Sequence, residues 1–379
     1  MNAEPLTAVI MGAGFAAEGH TLALQHAGVQ VVGMTSRTES TGRANSERLG
    51  IPEYDTDWKK ILNQLKPDIV ALATPGGTHR MMGDMALRMD CHVLSDKPLA
   101  TCAEDARYLY ELASSRNLKT AYAASYRYQP QAYLANRLVG SGVLGQVCEA
   151  EFVSHYHWPS LMPYGWPHRL KDGGGRLNNN FTHKLAIAQH IFGGSPVHAS
   201  GTCRNDLKRA PLAHRVHDFR NYFKDALTQE EADRGEWEEV TSDWAYTVLI
   251  DMSCENNAEE PISITFRHSG LRFGKHGDYV ALYGDRGVLH IEGAYVQGDV
   301  QLSHDGHKWE TLAIPEDIES ALPQEEDTTQ RNWNQLAVEF VKDIQGEPVP
   351  DYLTFHDGWI YQDIIDHVRE RKHWNAHDH

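Results

Sequence analysis

Residues 9–20, VIMGAGFAAEGH, place Gly12, Gly14 and Ala17 in a G-x-G-x-x-A spacing. That spacing suits a backbone closing on a pyrophosphate. The first glycine permits a tight turn, and the second lets the chain approach the phosphates. The small third residue lets a helix pack closely on a strand. The N-terminus of the helix that follows would turn its free N–H groups and positive dipole end to the anion, and Phe15 and Ala16 of the turn join the cofactor-binding residues. A glycine-rich turn without a ligand is the other reading of the motif alone. Further on, Thr35-Ser36-Arg37 follows a short apolar run and carries no acid. An acid there would hold the ribose 2′-hydroxyl of NAD. The Ser36 hydroxyl and Arg37 guanidinium instead suit a 2′-phosphate. The cofactor therefore reads as NAD or NADP, with these two residues favouring NADP. In the alternative, Arg37 stacks on adenine in an NAD enzyme.

Such a turn must sit between a strand and a helix, and the surrounding pattern supplies both. Residues 7–11, 30–34, 68–73, 92–94 and 119–123 read as short buried strands. Residues 20–27, 39–49, 58–65, 79–89 and 102–116 read as helices between them. This alternation predicts βαβ units and a parallel sheet. The grammar changes near residue 130. In 147–158 Ala150, Phe152, Tyr156 and Trp158 alternate with Glu149, Glu151, His155 and His157, as in a strand with one buried face. Strand-like runs recur at 244–252, 262–268, 279–283 and 288–291, and helices close the chain at 333–344 and 356–371. The boundary is placed at 128/129, and residues 1–128 are expected to bind the dinucleotide. The tail HWNAHDH reads as disordered or as part of a tag.

The chain of 379 residues is 41% hydrophobic, enough for two cores, and its formal charge is −17. That charge argues against nucleic acid or an anionic membrane as partner, because phosphate binding needs basic patches. Five scattered cysteines form no C-x-x-C pair, so neither a disulfide framework nor a zinc site is expected. No segment reaches the roughly 18 apolar residues of a membrane span. The N-terminus lacks the basic region of a signal peptide, and a cytoplasmic location is expected.

Three further segments sharpen the reading. Ala73-Thr74-Pro75 leads to His79, Asp96-Lys97-Pro98 follows, and Gly173-Gly174-Gly175 leads to His183. In this order they resemble the Gfo/Idh/MocA oxidoreductases over most of the chain. The resemblance implies an α/β N-terminal Rossmann domain plus an α+β C-terminal domain with an open, mostly antiparallel sheet. It also implies that residues 129–379 bind substrate and oligomerise, with a substrate pocket between the domains and a homodimer or homotetramer. Thr74, Pro75, His79, Asp96 and Lys97 then join the cofactor-binding set. Two departures stand out. Asp96 replaces the family's Glu. In GGGRLNNNFTH the family's Asp falls on Asn179, its Gly on Phe181 and a later Asp on Ala186. An Asn179 amide can hydrogen-bond a sugar hydroxyl but cannot act as a base.

Oxidising a carbinol carbon requires loss of the hydroxyl proton, and a histidine suits that task. His183 is the expected base. The Lys97 ammonium would stabilise the developing alkoxide and lower the proton affinity of His183. Taken alone, a Lys-Pro pair is a surface turn and one of 22 histidines is structural. The combined pattern singles them out. Arg127 and Tyr128, in SYRYQP, serve either substrate or interdomain packing. Trp158 and Trp166 offer either a carbohydrate wall or core. His168, Arg169 and Lys171 form either an anion site or a solvated run. His155-x-His157 lacks a third ligand, and no metal is expected.

The leading expectation is an NAD(P)-dependent oxidoreductase acting on a small carbohydrate, a sugar or polyol. One alternative is a redox-neutral, NAD-dependent glycosidase acting on an anionic glycoside such as a uronide or sulfoquinovoside. A non-enzymatic nicotinamide sensor is a third reading, disfavoured by the presence of both Lys97 and His183.

Overall fold

A computed structural model describes residues 5–213, 226–254, 257–272 and 277–378, the backbone alone at 257–259. The first sheet contains β1 (Thr7–Met11), β2 (Gln30–Thr35), β3 (Glu53–Asp55), β4 (Ile69–Leu72), β5 (His92–Ser95) and β6 (Thr120–Tyr122). All pairs are parallel, in the order β3-β2-β1-β4-β5-β6. Helices α1 (Phe15–His26), α2 (Glu39–Leu49), α3 (Trp58–Leu65), α4 (His79–Arg88) and α5 (Ala103–Ser115) connect them. The strand order reverses between β1 and β4, where a doubly wound sheet opens a crevice at its carboxyl edge. The helix expected from residue 20 starts at Phe15, directly after the glycine turn. The sequence reading missed β3, which is short and polar.

The second half begins with α6 (Pro130–Ser141) and β7 (Val147–His155). It continues through α7 (Thr182–Phe192), β8 (Pro196–Arg204), β9 (Arg209–Pro211), α8 (Gln229–Arg234) and β10 (Trp237–Glu239). Then come β11 (Ala245–Cys254), β12 (Asn257–Ser269), β13 (Tyr279–Gly284), β14 (Val288–Glu292), β15 (Val300–Ser303) and β16 (Glu310–Leu312). The chain closes with α9 (Glu316–Ala321), α10 (Thr328–Ile344), α11 (Phe355–Glu370) and β17 (Trp374–Asn375). The large sheet has nine strands, ordered β16-β15-β14-β13-β7-β12-β11-β8-β17. Among the described residues, β7 and β12 are the one parallel pair in this sheet. Ala150, Phe152 and Ser154 are buried on one face of β7, and Phe152 stacks on Phe266 at 5.0 Å. Phe181, just before α7, meets Phe266 edge-on at 5.3 Å, fixing that helical run against the sheet.

The last two helices return to the first sheet. On α10, Trp333 meets Phe15 at 5.2 Å and fills the space beside Gly19, where any side chain would collide with its ring. On α11, Trp359 stacks on Tyr110 of α5 at 5.5 Å, and Asp366 accepts the Ala103 N–H at 2.6 Å. The expectation of a loose tail is corrected. Trp374 is buried, pairs with Ala199 of β8, and donates its indole N–H to Asp363 at 2.7 Å. A single anchoring tryptophan has no periodicity, so the sequence pattern did not mark it.

Candidate active site

Gly12 adopts φ +127°, and a Cβ there would sit 2.6 Å from the Ala73 carbonyl oxygen. Its N–H donates to the Thr35 carbonyl at 2.9 Å, and the Ala73 N–H donates to that of Met11 at 2.9 Å. The turn thus ties β1, β2 and β4 at the point where strand order reverses. Only glycine fits there. Gly14 then opens α1 with no side-chain cap. A backbone cradle closed to side chains, followed by an uncapped helix, fits a dinucleotide pyrophosphate. At the end of β2 the Ser36 hydroxyl accepts the Thr38 N–H at 3.2 Å, and Arg37 is exposed.

Two residues beyond β5, Lys97 precedes a cis peptide to Pro98. Asp96 fixes its backbone by accepting the Lys97 N–H at 2.8 Å. The buried His79 ring spans the two neighbouring loops, with Nδ1 2.9 Å from the Pro98 carbonyl and Nε2 2.8 Å from that of Thr74. Thr74 and Thr78 exchange a hydroxyl hydrogen bond of 2.7 Å beside the exposed Pro75. His79 therefore pins the Thr74-Pro75 loop to the Lys97-Pro98 turn.

The partner surface is one helical run. Gly173 and Gly175 take φ of +82° and +101°, and a Cβ on Gly174 would fall 2.5 Å from the Pro167 carbonyl oxygen. This glycine turn feeds a π-helical turn, Leu177–Phe181, that continues into α7. Such widened turns are frequent at functional sites. Asn179 donates its amide to the carbonyls of Gly175 at 2.8 Å and Gly173 at 3.2 Å. Its side-chain oxygen accepts the Lys97 ammonium at 3.0 Å. An aspartate could not donate to those carbonyls. Asn179→Asp is therefore expected to lose about 1–3 kcal/mol of stability, read as a lower melting temperature in thermal unfolding. An unchanged melting temperature would show that the glycine turn does not depend on this amide.

His183 follows on the same run, buried, and among the described residues its Nδ1 has no hydrogen-bond partner. Its ring meets Tyr126 edge-on at 4.6 Å and Tyr295 at 5.5 Å, while those two tyrosines stack at 4.6 Å. Burial, then Lys97, then Arg176 hold the imidazole well below the ordinary histidine pKa. Burial and Arg176 lower the Lys97 ammonium against the opposing pull of Asp96. The pair is thus a neutral imidazole beside a lysine whose proton is loosened.

The other expected substrate residues separate. Tyr128 is buried and donates its hydroxyl to Glu339 of α10, while Arg127 reaches the Asp351 carbonyl at 3.3 Å. Both face the returning C-terminal segment. Trp158 lies under the Arg176 guanidinium at 4.0 Å, meets Trp244 edge-on and packs on the small core that includes Met162 and Val240. Trp166 is half-buried in a short turn, Trp166–His168, against the glycine segment. His168 is buried between Tyr164 and Trp244, and burial pushes it down to about 4. Arg169 pairs with Asp172, and Lys171 is exposed. The expected cationic group of His168, Arg169 and Lys171 is therefore divided: one member is uncharged near neutral pH and another is neutralised. Among the described residues no group of three or more His, Cys, Asp or Glu could hold a metal ion. None of the described helices is long and apolar enough to cross a membrane.

Sequence reasoning missed Tyr126, Tyr295 and Arg176. Tyr126 lies in the SYRYQP segment already singled out, two positions before Tyr128. Arg176 stands inside the quoted GGGRLNNNFTH. Tyr295 follows β14 in a turn that carries no motif.

Residues 6–123 match the oxidoreductase family with an NAD-binding Rossmann fold, and residues 134–290 match the Gfo/Idh/MocA C-terminal domain. The chain belongs to the Gfo/Idh/MocA oxidoreductases. An uncharacterized oxidoreductase of Synechocystis sp. is 22% identical, over 98% of this chain and 96% of its own. The D-glucoside 3-dehydrogenase of Escherichia coli is 28% identical over 51% of this chain and 56% of its own. The fold matches that of levoglucosan dehydrogenase in complex with NADH and L-sorbose, with a TM-score of 0.79, 17% identity and 98% coverage of both chains.

Proposed function

We propose that this oxidoreductase transfers hydride between a nicotinamide cofactor and a hydroxyl-bearing carbon of a sugar or polyol. The Lys97–Asn179 hydrogen bond carries this reading, because it brings the carboxyl end of β5 against the helical run that bears His183. The relatives named above support the substrate class: one is a D-glucoside 3-dehydrogenase, another a levoglucosan dehydrogenase. Residues 1–128 would hold the cofactor and 129–379 the sugar, with Lys97 and Asn179 joining the two.

The cofactor, when bound, supplies the hydride acceptor. Every other task falls to side chains. His183 takes the hydroxyl proton through a neutral imidazole. Lys97 faces the oxygen as it becomes anionic, and its charge counts for more where water is scarce. Asn179 aims the lysine. Tyr126 and Tyr295 hold the imidazole plane and keep water away from it. Substrate-dependent reduction of NAD⁺ or NADP⁺ over a sugar panel tests the reading, and the absence of reduction with every sugar would reject it.

We further assign the 2′-phosphate of NADP to Ser36 and Arg37. Arg37→Ala is expected to lower kcat/KM for NADP⁺ by roughly tenfold or more, with little change for NAD⁺. Equal losses with both cofactors would place Arg37 on the adenine instead.

A further inference from the structure

Arg176 is a charged side chain that is only 8% exposed. It leaves the glycine turn with its N–H donated to the Asp243 carbonyl at 2.9 Å. Its guanidinium lies 4.0 Å from the Trp158 ring centroid, and its Nε donates to His268 Nε2 at 3.3 Å. Among the described residues no acceptor meets its terminal nitrogens, and no carboxylate stands within ion-pair distance. The nearby Asp243 is already engaged. Its Oδ1 accepts Arg369 at 2.9 and 3.2 Å, and its Oδ2 accepts the Leu177 N–H at 2.8 Å.

The groups behind Arg176 do not cancel its charge. Because His268 accepts at Nε2, its proton sits on Nδ1, which faces the Ser154 hydroxyl at 2.7 Å. Ser154 also accepts the buried Lys184 ammonium at 2.7 Å, whose other partners are the carbonyls of Phe152 and Arg267. Every acceptor in this run of hydrogen bonds, from His268 through Ser154 to the two carbonyls, is neutral. A guanidinium cannot escape by losing its proton, and a buried charge without a counter-charge is costly. Arg176 is near enough to Lys97 and His183 to lower the proton affinity of both. An unbalanced, forked cation thus stands beside the proposed reaction centre.

We propose that Arg176 anchors an anionic group of the substrate, so that the sugar handled at Lys97 and His183 carries a carboxylate, sulfonate or phosphate. The proposal rests on the function proposed above. The planar fork can meet two oxygens of such a group at once, while the Trp158 ring holds its plane. This places anion recognition on Arg176 rather than on the divided group at 168–171.

The test compares glucuronate, sulfoquinovose and glucose phosphate with glucose, on the full chain with its nicotinamide cofactor. Both turnover and the shift in melting temperature caused by each sugar are read. At least one acidic sugar is expected to exceed glucose in kcat/KM by roughly 10- to 100-fold, and the arm that does so identifies the anion. Arg176→Gln should abolish that preference through KM more than kcat, and Arg176→Lys should keep part of it. A wild-type preference for glucose, or a preference for acid that survives Arg176→Gln, would overturn the proposal. The wild-type comparison stands even if the variants do not fold. If no sugar reduces the cofactor, the oxidoreductase reading fails separately and the melting shifts decide the anchor. Stabilisation by an acidic sugar that disappears in Arg176→Gln supports it, and no stabilisation by any acidic sugar rejects it.

Discussion

Lys97→Met is expected to lower kcat/KM for the sugar by about 10³-fold, with cofactor affinity changed only slightly. The magnitude is that of removing a donor aimed at a developing oxyanion. Methionine keeps the length and apolar body of the side chain, so the Asp96 cap and the His79 pin on Pro98 should persist. A second readout distinguishes this role from a structural one. Lys97 helps hold His183 below its ordinary pKa. Without that cation the imidazole regains proton affinity, so the acidic limb of the kcat profile should move to higher pH. A variant that loses activity without moving this limb would show that Lys97 acts through the fold, or on the cofactor alone.

His183→Ala is expected to lower kcat by about 10²- to 10⁴-fold, the usual contribution of a positioned base, with a smaller change in KM. Its acidic limb should vanish, because the group that titrates there is gone. The variant also carries a stability signature. Burial depresses His183 first, so the folded protein resists protonating it. Below about pH 6.5 the unfolded chain takes up a proton that the folded chain refuses. This contribution is therefore present above that pH and lost as pH falls through it. His20, His79 and His268 are buried and depressed in the same direction. The wild type should lose melting temperature between neutral pH and pH 5, and His183→Ala should lose less. Equal losses in both proteins would contradict the buried, neutral state of this imidazole.

Local chemistry explains which parts were legible in the sequence. The strands of the first sheet are short, continuous apolar runs punctuated by glycine, and the βαβ alternation follows from them directly. In β7 the alternation of Ala150 and Phe152 with Glu149 and Glu151 marked the turned face of the second sheet. Lys97 and His183 were visible only because three motifs occur in a fixed order. Nothing local to either residue marks it. Other features depend on contacts distant in sequence. Tyr126 and Tyr295 are 169 positions apart and meet only when the turn after β14 folds against the segment that ends the first domain. Arg176 was quoted inside a motif, yet its missing counter-charge appears only when Asp243 is seen bound to Arg369. The group at 168–171 shows the converse. Three basic residues close in sequence suggested one cationic surface, but burial removes His168 from it and Asp172 neutralises Arg169.

Stoichiometry tests net hydride transfer at Lys97 and His183. Purified protein is given acidic and neutral sugars and their aryl glycosides, with NAD⁺ and NADP⁺ in separate arms, and cofactor reduction and aglycone release are recorded together. One equivalent of reduced cofactor is expected per equivalent of sugar consumed, and none in His183→Ala. Aglycone release that needs only a trace of cofactor, with no reduced cofactor accumulating, would contradict net hydride transfer and establish a redox-neutral glycosidase.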